Sequence, residues 1–186
     1  RENSKDEYRI GAEYRINRYL NNEDVNKISE KWGTPIEYKG NTYYVFPTPT
    51  QLKDATLEEI QETKASFRSK YILDTIEKVN ASKKGDEYDL EHIASLDADE
   101  CHKALQNFKG VGAKVADCIM LFSMEKTSAF PVDVWVKRAM MHFYNAEEGS
   151  LNKIIFGRDK FKDFAGFAQQ YLFYYARENK ISVDNE

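Results

Sequence analysis

Cysteine and histidine are both scarce in this chain of 186 residues. The two cysteines, Cys101 and Cys118, do not form a CxxC pair, so one chain cannot build a four-cysteine zinc or iron–sulfur site or a disulfide framework. The three histidines are scattered and no HExxH motif occurs, so we expect no zinc site. Two sparse cysteines are typical of a protein in a reducing cytoplasm.

Long apolar runs are missing as well. No segment approaches the roughly 18–20 apolar residues that cross a bilayer. The first ten residues, RENSKDEYRI, are charged where a signal peptide would be apolar. We therefore expect a protein without a membrane partner, located in the cytoplasm.

The chain has no excess of basic residues, because 27 Lys and Arg face 31 Asp and Glu, for a formal net charge of −4. This balance argues against a nucleic-acid partner, since phosphate neutralisation supplies much of such affinity. It does not exclude one, because a small basic face can coexist with an acidic remainder. The length indicates one domain over 1–186, or two lobes that share a core.

Helical patterns dominate the chain. Apolar residues at helical spacing predict helices at 12–32, 66–79, 113–124, 133–145 and 164–178. Residues suited to N-cap positions predict shorter helices that begin at Thr50, Thr56, Asp89 and Asp97.

Only one segment has the pattern of a β hairpin, at 36–46, with its turn at Lys39-Gly40-Asn41. Gly157 is expected to separate two short elements, and residues 180–186 are expected to fray. These patterns predict a mainly α fold with one small β hairpin.

A second, non-β hairpin joins two helices at 108–112, FKGVG. Gly110 and Gly112 permit positive φ and leave room for a close approach, while Val111 would insert into the core. N–H groups at the start of the next helix can bind an anion at the positive end of the helix dipole. Taken alone, a GxG sequence favours an ordinary turn between helices.

Lys114 lies in the first turn of the helix that follows this hairpin, where the helix dipole disfavours a cation. One interpretation is a solvated surface lysine. The other is a site that keeps the amine neutral, so that it can attack carbon. The rest of the helix is apolar, so we expect it to be buried with its lysine at the mouth of a pocket.

Asp133 follows Pro131 and Val132 at the next junction between a turn and a helix. A carboxylate at this position is a natural N-cap. A capping carboxylate accepts backbone N–H bonds and remains ionised, which suits it to stabilise a developing positive charge on a sugar.

The strings LQNFKGVGAKVADCIMLF and FPVDVWV resemble the helix-hairpin-helix DNA glycosylases, in particular the 8-oxoguanine DNA glycosylase/AP lyase branch and its bacterial, clostridial-type members. The resemblance runs from about Trp32 to Asn179 and implies a two-lobed, mainly α glycosylase fold. It implies that Lys114 attacks C1′ and forms a Schiff base, and that Asp133 is the essential carboxylate. Relatives specific for adenine or alkylated bases keep the aspartate without the lysine, and endonuclease III-like relatives usually carry a four-cysteine cluster.

The same resemblance implies a pocket for an extruded base. Gln169 and Phe173 are four apart on the last helix and share one face. By similarity, the Gln169 amide reads the purine edge, Phe173 stacks on one side of the base, and Cys118 covers the other. Phe122 is a further candidate for the lining, with residues 163–166. Spacing alone favours a core phenylalanine, a surface glutamine and a buried thiol, and the resemblance favours the pocket.

Other residues are expected to contact double-stranded DNA. Phe67 and Arg68 match the position where the family inserts an aromatic wedge near the orphaned base, and Lys70 would meet the backbone. The alternative is a core Phe67 in an amphipathic helix. Asn21 and Asn22 match an Asn-rich stretch that fills the space left by the base. The hairpin amides of Gly110, Val111 and Gly112 would grip a phosphate, where a monovalent cation could bridge the carbonyls of 108–112; no redox cofactor is implied.

The chain departs from the family in its first part. Family members carry a β-rich N-terminal domain, for which this chain has no matching segment. Residues 1–15, RENSKDEYRIGAEYR, are too polar for the expected buried helix, so 1–31 is expected to be an atypical N-terminal helical segment. Two alternatives therefore stay open: a truncated or degenerate non-catalytic DNA-binding module, and a helical protein-interaction domain that uses the hairpin only as a turn. The expected protein is a monomer associated with the bacterial nucleoid.

Overall fold

The computed structural model describes residues 22–146 and 155–181. Contacts divide the chain into two compact units, Arg1–Val111 and Gly112–Glu186. The division falls inside the predicted hairpin, between Val111 and Gly112. Asn21 lies outside the described residues, and of Asn22 only the helical backbone is described. The single domain expected over 1–186 stays a prediction.

The first unit is helical apart from one β hairpin. Its elements are α1 (Asn22–Trp32), β1 (Pro35–Tyr38), β2 (Asn41–Tyr44), α2 (Leu57–Glu62), a 3-10 turn (Ser66–Arg68), α3 (Ser69–Ala81), α4 (Leu90–Ser95) and α5 (Ala98–Leu105). The second unit contains α6 (Ala113–Ser123), α7 (Val134–Tyr144), α8 (Ile155–Phe161), a 3-10 turn (Lys162–Phe164) and α9 (Ala165–Glu178). The predicted mainly α class with one small hairpin is confirmed.

The β hairpin is antiparallel, with Pro35 opposite Tyr44 and Ile36 opposite Tyr43. Lys39 and Gly40 form its turn with φ of 50° and 77°. Every residue of both strands is exposed. The ladder ends at Tyr44, before the predicted boundary, because the chain then turns inward and buries Phe46 in the core.

The core of the first unit is apolar and is formed mainly by α1, α2 and α3. Its buried members are Val25, Ile28, Phe46, Leu52, Ala55, Ile60, Ala65 and Ile76. Three predicted N-caps are confirmed: Thr56 with Glu59 in a capping box, Asp89 and Asp97. The prediction for Thr50 is wrong, because residues 49–54 form successive turns in which the Thr48 carbonyl accepts from Leu52.

The first part of the 108–112 hairpin lies against α3 within this unit. Gly110 has a φ of +81°, and a Cβ built on it would lie 2.6 Å from Cδ2 of Tyr71. Phe108 is buried and packs edge-on against Tyr88, with ring centroids 5.2 Å apart. Val111, expected in the core, is only half-buried. Position 110 therefore requires glycine twice, for the left-handed backbone and for the contact with Tyr71.

The second unit packs α7, α8 and α9 around Phe130, Val136, Met140, Ala146 and Ala165. Gly157 was predicted to separate two elements, and this is wrong: it lies inside α8, closely packed on the ring of Phe130. Ile181 was predicted to fray, yet it is buried with Ala139 and Ala176, and its N–H donates to the Ala176 carbonyl at 3.0 Å. Residues 182–186 lie outside the described residues.

None of the helices within 22–146 and 155–181 has the length and apolar character required to cross a membrane.

We predict that Gly110→Ala destabilises the protein more than Gly85→Ala does. Both glycines have positive φ, +81° and +88°, but an added Cβ meets the Tyr71 ring at Gly110 and open space at Gly85. Both variants share the backbone strain, and the steric conflict should add about 1–3 kcal/mol for Gly110→Ala. Urea unfolding measures the difference, and equal losses of unfolding free energy would show that Tyr71 moves aside at no cost.

Candidate functional site

Helix α6 begins without a side-chain cap. Gly112 is its N-cap residue, with φ −93° and ψ −179°, and it offers no side chain to the N–H groups of the first turn. Lys114, the second residue of the helix, is exposed, and its ammonium forms no ion pair with any residue in 22–146 or 155–181. Unsatisfied donors at a helix start attract anions, so this end of α6 is suited to a phosphate.

Beyond its first turn, α6 is buried as predicted. Ala116, Ile119 and Met120 belong to the core, and the Cys118 side chain, one turn after Lys114, is only 3% exposed. Phe122, a further turn along, is half-buried. The lysine therefore stands at the exposed end of a helix whose body is fixed by packing.

Asp133 caps α7, as its position predicts. Its Oδ1 accepts hydrogen bonds from the N–H groups of Trp135 at 3.0 Å and Val136 at 2.9 Å. Two bonds to one oxygen fix the orientation of the carboxylate. Asp133 is half-buried, so it lies at the boundary between core and solvent.

Gln169 is in an unexpected environment. Its side chain is 0% exposed, its Nε2 donates to the Pro131 carbonyl at 2.9 Å, and its Oε1 accepts from Gln170. The interpretation as a surface glutamine is wrong. A role in reading a base stays a prediction. One of the two N–H donors and one of the two acceptor lone pairs of the amide are engaged in these bonds.

Phe173 is half-buried and packs against the apolar cluster that includes Phe130 and Leu172. The guanidinium of Arg177, one turn later, lies 6.0 Å from the centre of its ring. Phe173 thus combines a core contact with a partly exposed ring, and a stacking role for it stays a prediction.

The segment at 127–131 connects α9 to Asp133. The Gly166 N–H donates to the Thr127 carbonyl at 2.7 Å, and a Cβ on Gly166 would lie 2.1 Å from Cδ1 of Leu121 on α6. Gln169 then bonds to Pro131, two residues before Asp133. Sequence reasoning missed the role of the Pro131 carbonyl, because a main-chain acceptor carries no residue-type signal.

In the first unit, Phe67 is 60% exposed in the 3-10 turn before α3, so the interpretation as a core residue is wrong. The Arg68 guanidinium lies 4.7 Å from the centre of its ring, and Tyr71 meets it edge-on at 6.4 Å. The Lys70 ammonium lies 5.5 Å from the Tyr71 ring. Phe67 therefore has the exposure and the basic neighbours expected of an aromatic wedge, and its insertion into DNA stays a prediction.

The backbone donors of the 108–112 hairpin are not equivalent. The N–H of Lys109 donates to Oδ2 of Asp74 at 3.1 Å, and the N–H of Val111 donates to the Phe108 carbonyl at 3.1 Å. The N–H groups of Gly110 and Gly112 have no hydrogen-bond partner in the described part of the chain. Of the three amides predicted to grip a phosphate, Val111 is therefore already engaged.

A model of the HhH-GPD superfamily of base excision DNA repair proteins matches residues 20–171, which include the hairpin, Lys114, Asp133 and Gln169. The chain belongs to this superfamily. Its relatives include a probable N-glycosylase/DNA lyase of Methanothermobacter thermautotrophicus, 30% identical over 174 aligned residues; the match covers 86% of this chain and 55% of the relative. The N-glycosylase/DNA lyase OGG1 of Arabidopsis thaliana is 31% identical over 72% of this chain and 39% of its own length.

A solved structure is also similar to the chain. The Clostridium acetobutylicum 8-oxoguanine glycosylase/lyase, in complex with double-stranded DNA containing cytosine opposite 8-oxoguanine, superposes with a TM-score of 0.82 at 51% identity. The match covers 94% of this chain and 60% of that chain. The chain therefore spans 39–60% of the length of these relatives.

We predict that Gln169→Ala destabilises the protein by about 2–4 kcal/mol, because it leaves the buried Pro131 carbonyl without its donor and opens a cavity. Gln61→Ala removes the same atoms from an exposed position of α2 and should cost about 1 kcal/mol or less. Chemical denaturation of both variants measures the difference. A Gln169→Ala protein as stable as the control would mean that the amide has no structural role.

Proposed function

We propose that the chain is the helix-hairpin-helix part of a bifunctional DNA glycosylase that excises 8-oxoguanine from duplex DNA and nicks the strand. The observation that carries the proposal is the start of α6, where Lys114 is exposed and forms no ion pair within 22–146 and 155–181, two residues after the open amide of Gly112, in a chain of the HhH-GPD superfamily. The names of its relatives, N-glycosylase/DNA lyase and 8-oxoguanine glycosylase/lyase, support the same activity.

In the proposed reaction, the Lys114 amine attacks C1′ of the damaged nucleotide, and the C1′–N9 bond breaks as the base leaves with its electron pair and takes up a proton. Asp133, fixed as the cap of α7, stabilises the positive charge that develops on the sugar. Opening of the sugar ring gives a Schiff base between Lys114 and C1′. Loss of a C2′ proton then expels the 3′ phosphate by β-elimination, which nicks the strand.

The proposed DNA grip uses the open amides of Gly110 and Gly112 and the positive end of α6 for a phosphate of the lesion strand. Phe67 fills the gap left by the extruded base, and Arg68 and Lys70 supply nearby positive charge. A grip confined to these residues is compatible with the net charge of −4, because only the surface facing the DNA needs to be basic.

A second candidate is a degenerate relative that binds DNA without cutting it. The observation that favours it is an exposed aromatic stripe on α9, the helix that carries Gln169 and Phe173. Phe167, Tyr171 and Tyr174 follow at helical spacing on α9, Phe164 precedes them in the 3-10 turn, and all four are 56–80% exposed. Uncovered apolar surface of this size normally marks an interface, so the lining of the base pocket could be incomplete in this chain alone.

Borohydride trapping on an 8-oxoguanine duplex separates the two candidates. We expect a covalent protein–DNA adduct with the wild-type chain and no adduct with Lys114→Gln, because the amide cannot form the Schiff base. Lys103→Gln, on the exposed surface of α5, removes the same charge and should trap normally. Duplex binding by wild type without any adduct would favour the non-catalytic candidate.

We further predict that Gly112→Ala weakens duplex binding about tenfold or more, while the free energy of unfolding changes by less than about 1 kcal/mol. The φ of Gly112 is −93°, which alanine adopts readily, and an added Cβ meets nothing within 4 Å in the protein. A methyl group there would obstruct only an incoming backbone. Unchanged binding in a fluorescence titration would mean that no DNA comes close to this position, as a hairpin that is only a turn would require.

A further inference from the structure

Two charged side chains of α3 hold the backbone of the 108–112 hairpin. Asp74 accepts the Lys109 N–H at 3.1 Å through Oδ2. The Lys78 ammonium donates to the Asn107 carbonyl at 3.0 Å, just before the hairpin. The same ammonium lies 3.1 Å from Oδ2 of Asp74, one helical turn away. The Asp74–Lys78 ion pair thus binds the backbone just before Gly110 at two points, the Lys109 N–H and the Asn107 carbonyl.

This ion pair is supported on several sides. The Asp74 and Lys78 side chains are only 24% and 25% exposed, and the ammonium lies 4.7 Å from the centre of the Tyr88 ring. The hydrogen bond to Asp74 raises the pKa of Lys78 above its ordinary value. The ammonium therefore keeps its charge at any pH at which DNA binding is measured. Tyr71, on the same helix, lies against Gly110.

We propose that Asp74 and Lys78 are positioning residues for DNA binding: they fix the hairpin so that the Gly110 amide is held open for a phosphate, and Lys78 cancels the charge that Asp74 would otherwise present to it. The inference rests on the proposed function, because it assigns the phosphate to this hairpin. It goes beyond it by adding two residues on another helix that contact no DNA in the proposed grip.

The charges of Asp74 and Lys78 predict opposite effects on DNA affinity when each is removed, which a purely structural role does not. Removing Lys78 leaves the Asp74 carboxylate uncompensated beside the Lys109 N–H, near the proposed phosphate, and like charges repel. Neutralising Asp74 as well should remove that repulsion. Asparagine at position 74 retains an oxygen that can accept the Lys109 N–H, so Asp74→Asn preserves the anchor while removing the charge.

The experiment measures duplex affinity by fluorescence titration at low salt for Lys78→Met, Asp74→Asn and the double variant. We expect Lys78→Met to bind about tenfold more weakly than wild type, and Asp74→Asn to bind at least as well as wild type. The double variant should recover most of the loss. At saturating protein, the single-turnover rate of strand nicking should be unchanged, because the reacting groups are untouched.

Lys31→Met is the matched control. Lys31 lies on α1, is 33% exposed and pairs with Glu62 at 3.1 Å, so its loss removes the same charge and a similar ion pair away from the hairpin. Its effect on affinity should be less than about twofold, since one distant surface charge contributes little. If Lys78→Met and Lys31→Met weaken binding equally, or if the double variant binds no better than Lys78→Met, the proposal is overturned.

Amide hydrogen exchange of Lys109 by NMR separates this proposal from the proposed function. Asp74→Ala should accelerate exchange of the Lys109 amide by about tenfold or more, while Asp74→Asn should leave it protected. Unchanged exchange in Asp74→Ala overturns the anchor whatever the DNA results. A wild-type chain that binds no duplex, yet shows the expected exchange pattern, would overturn the proposed function and leave the anchor as a structural feature.

Discussion

The start of α6 is the constraint on which the candidate site depends. A helix leaves its first N–H groups without partners inside the helix, and here Gly112 supplies no side chain to satisfy them. The same positive helix end, which favours an anion, makes the position unfavourable for a cation. Lys114 therefore stands where its charged form receives no support from the helix and no carboxylate within 22–146 or 155–181 compensates it. The candidate anion site and the exposed lysine thus share the first turn of one helix.

Local signals in the sequence predicted much of this arrangement. The caps at Thr56, Asp89, Asp97 and Asp133 were predictable because each carboxylate or hydroxyl bonds to N–H groups only two or three residues away. The helices that carry Lys114 and Gln169 were predictable from apolar spacing. These features depend on neighbours in the chain, so the order of the residues contains them.

Features that depend on distant residues were not predictable. A glycine such as Gly157 usually indicates a helix break. Here it lies inside α8, and the absence of a side chain lets the ring of Phe130 pack closely against the helix. Ile181 follows a polar helix end and is retained by Ala139 and Ala176. Gln169 was expected to be available to a ligand, and its bond to Pro131 spans 38 residues. In each case one of the partners is far away in sequence, where spacing carries no information. These distant partners are Phe130, Ala139 and Pro131.

The buried amide of Gln169 bears on how the proposed base pocket could discriminate between bases. A buried hydrogen bond that is broken without replacement costs about 1–3 kcal/mol. Any base that displaces the Pro131 carbonyl or the Gln170 amide from Gln169 must therefore provide a bond of its own in return. A base with a matching donor and acceptor repays that cost, and one without them leaves a buried polar group unpaired. In the proposed pocket, a base that breaks one of the present hydrogen bonds of Gln169 without replacing it is therefore bound more weakly than a base that replaces it.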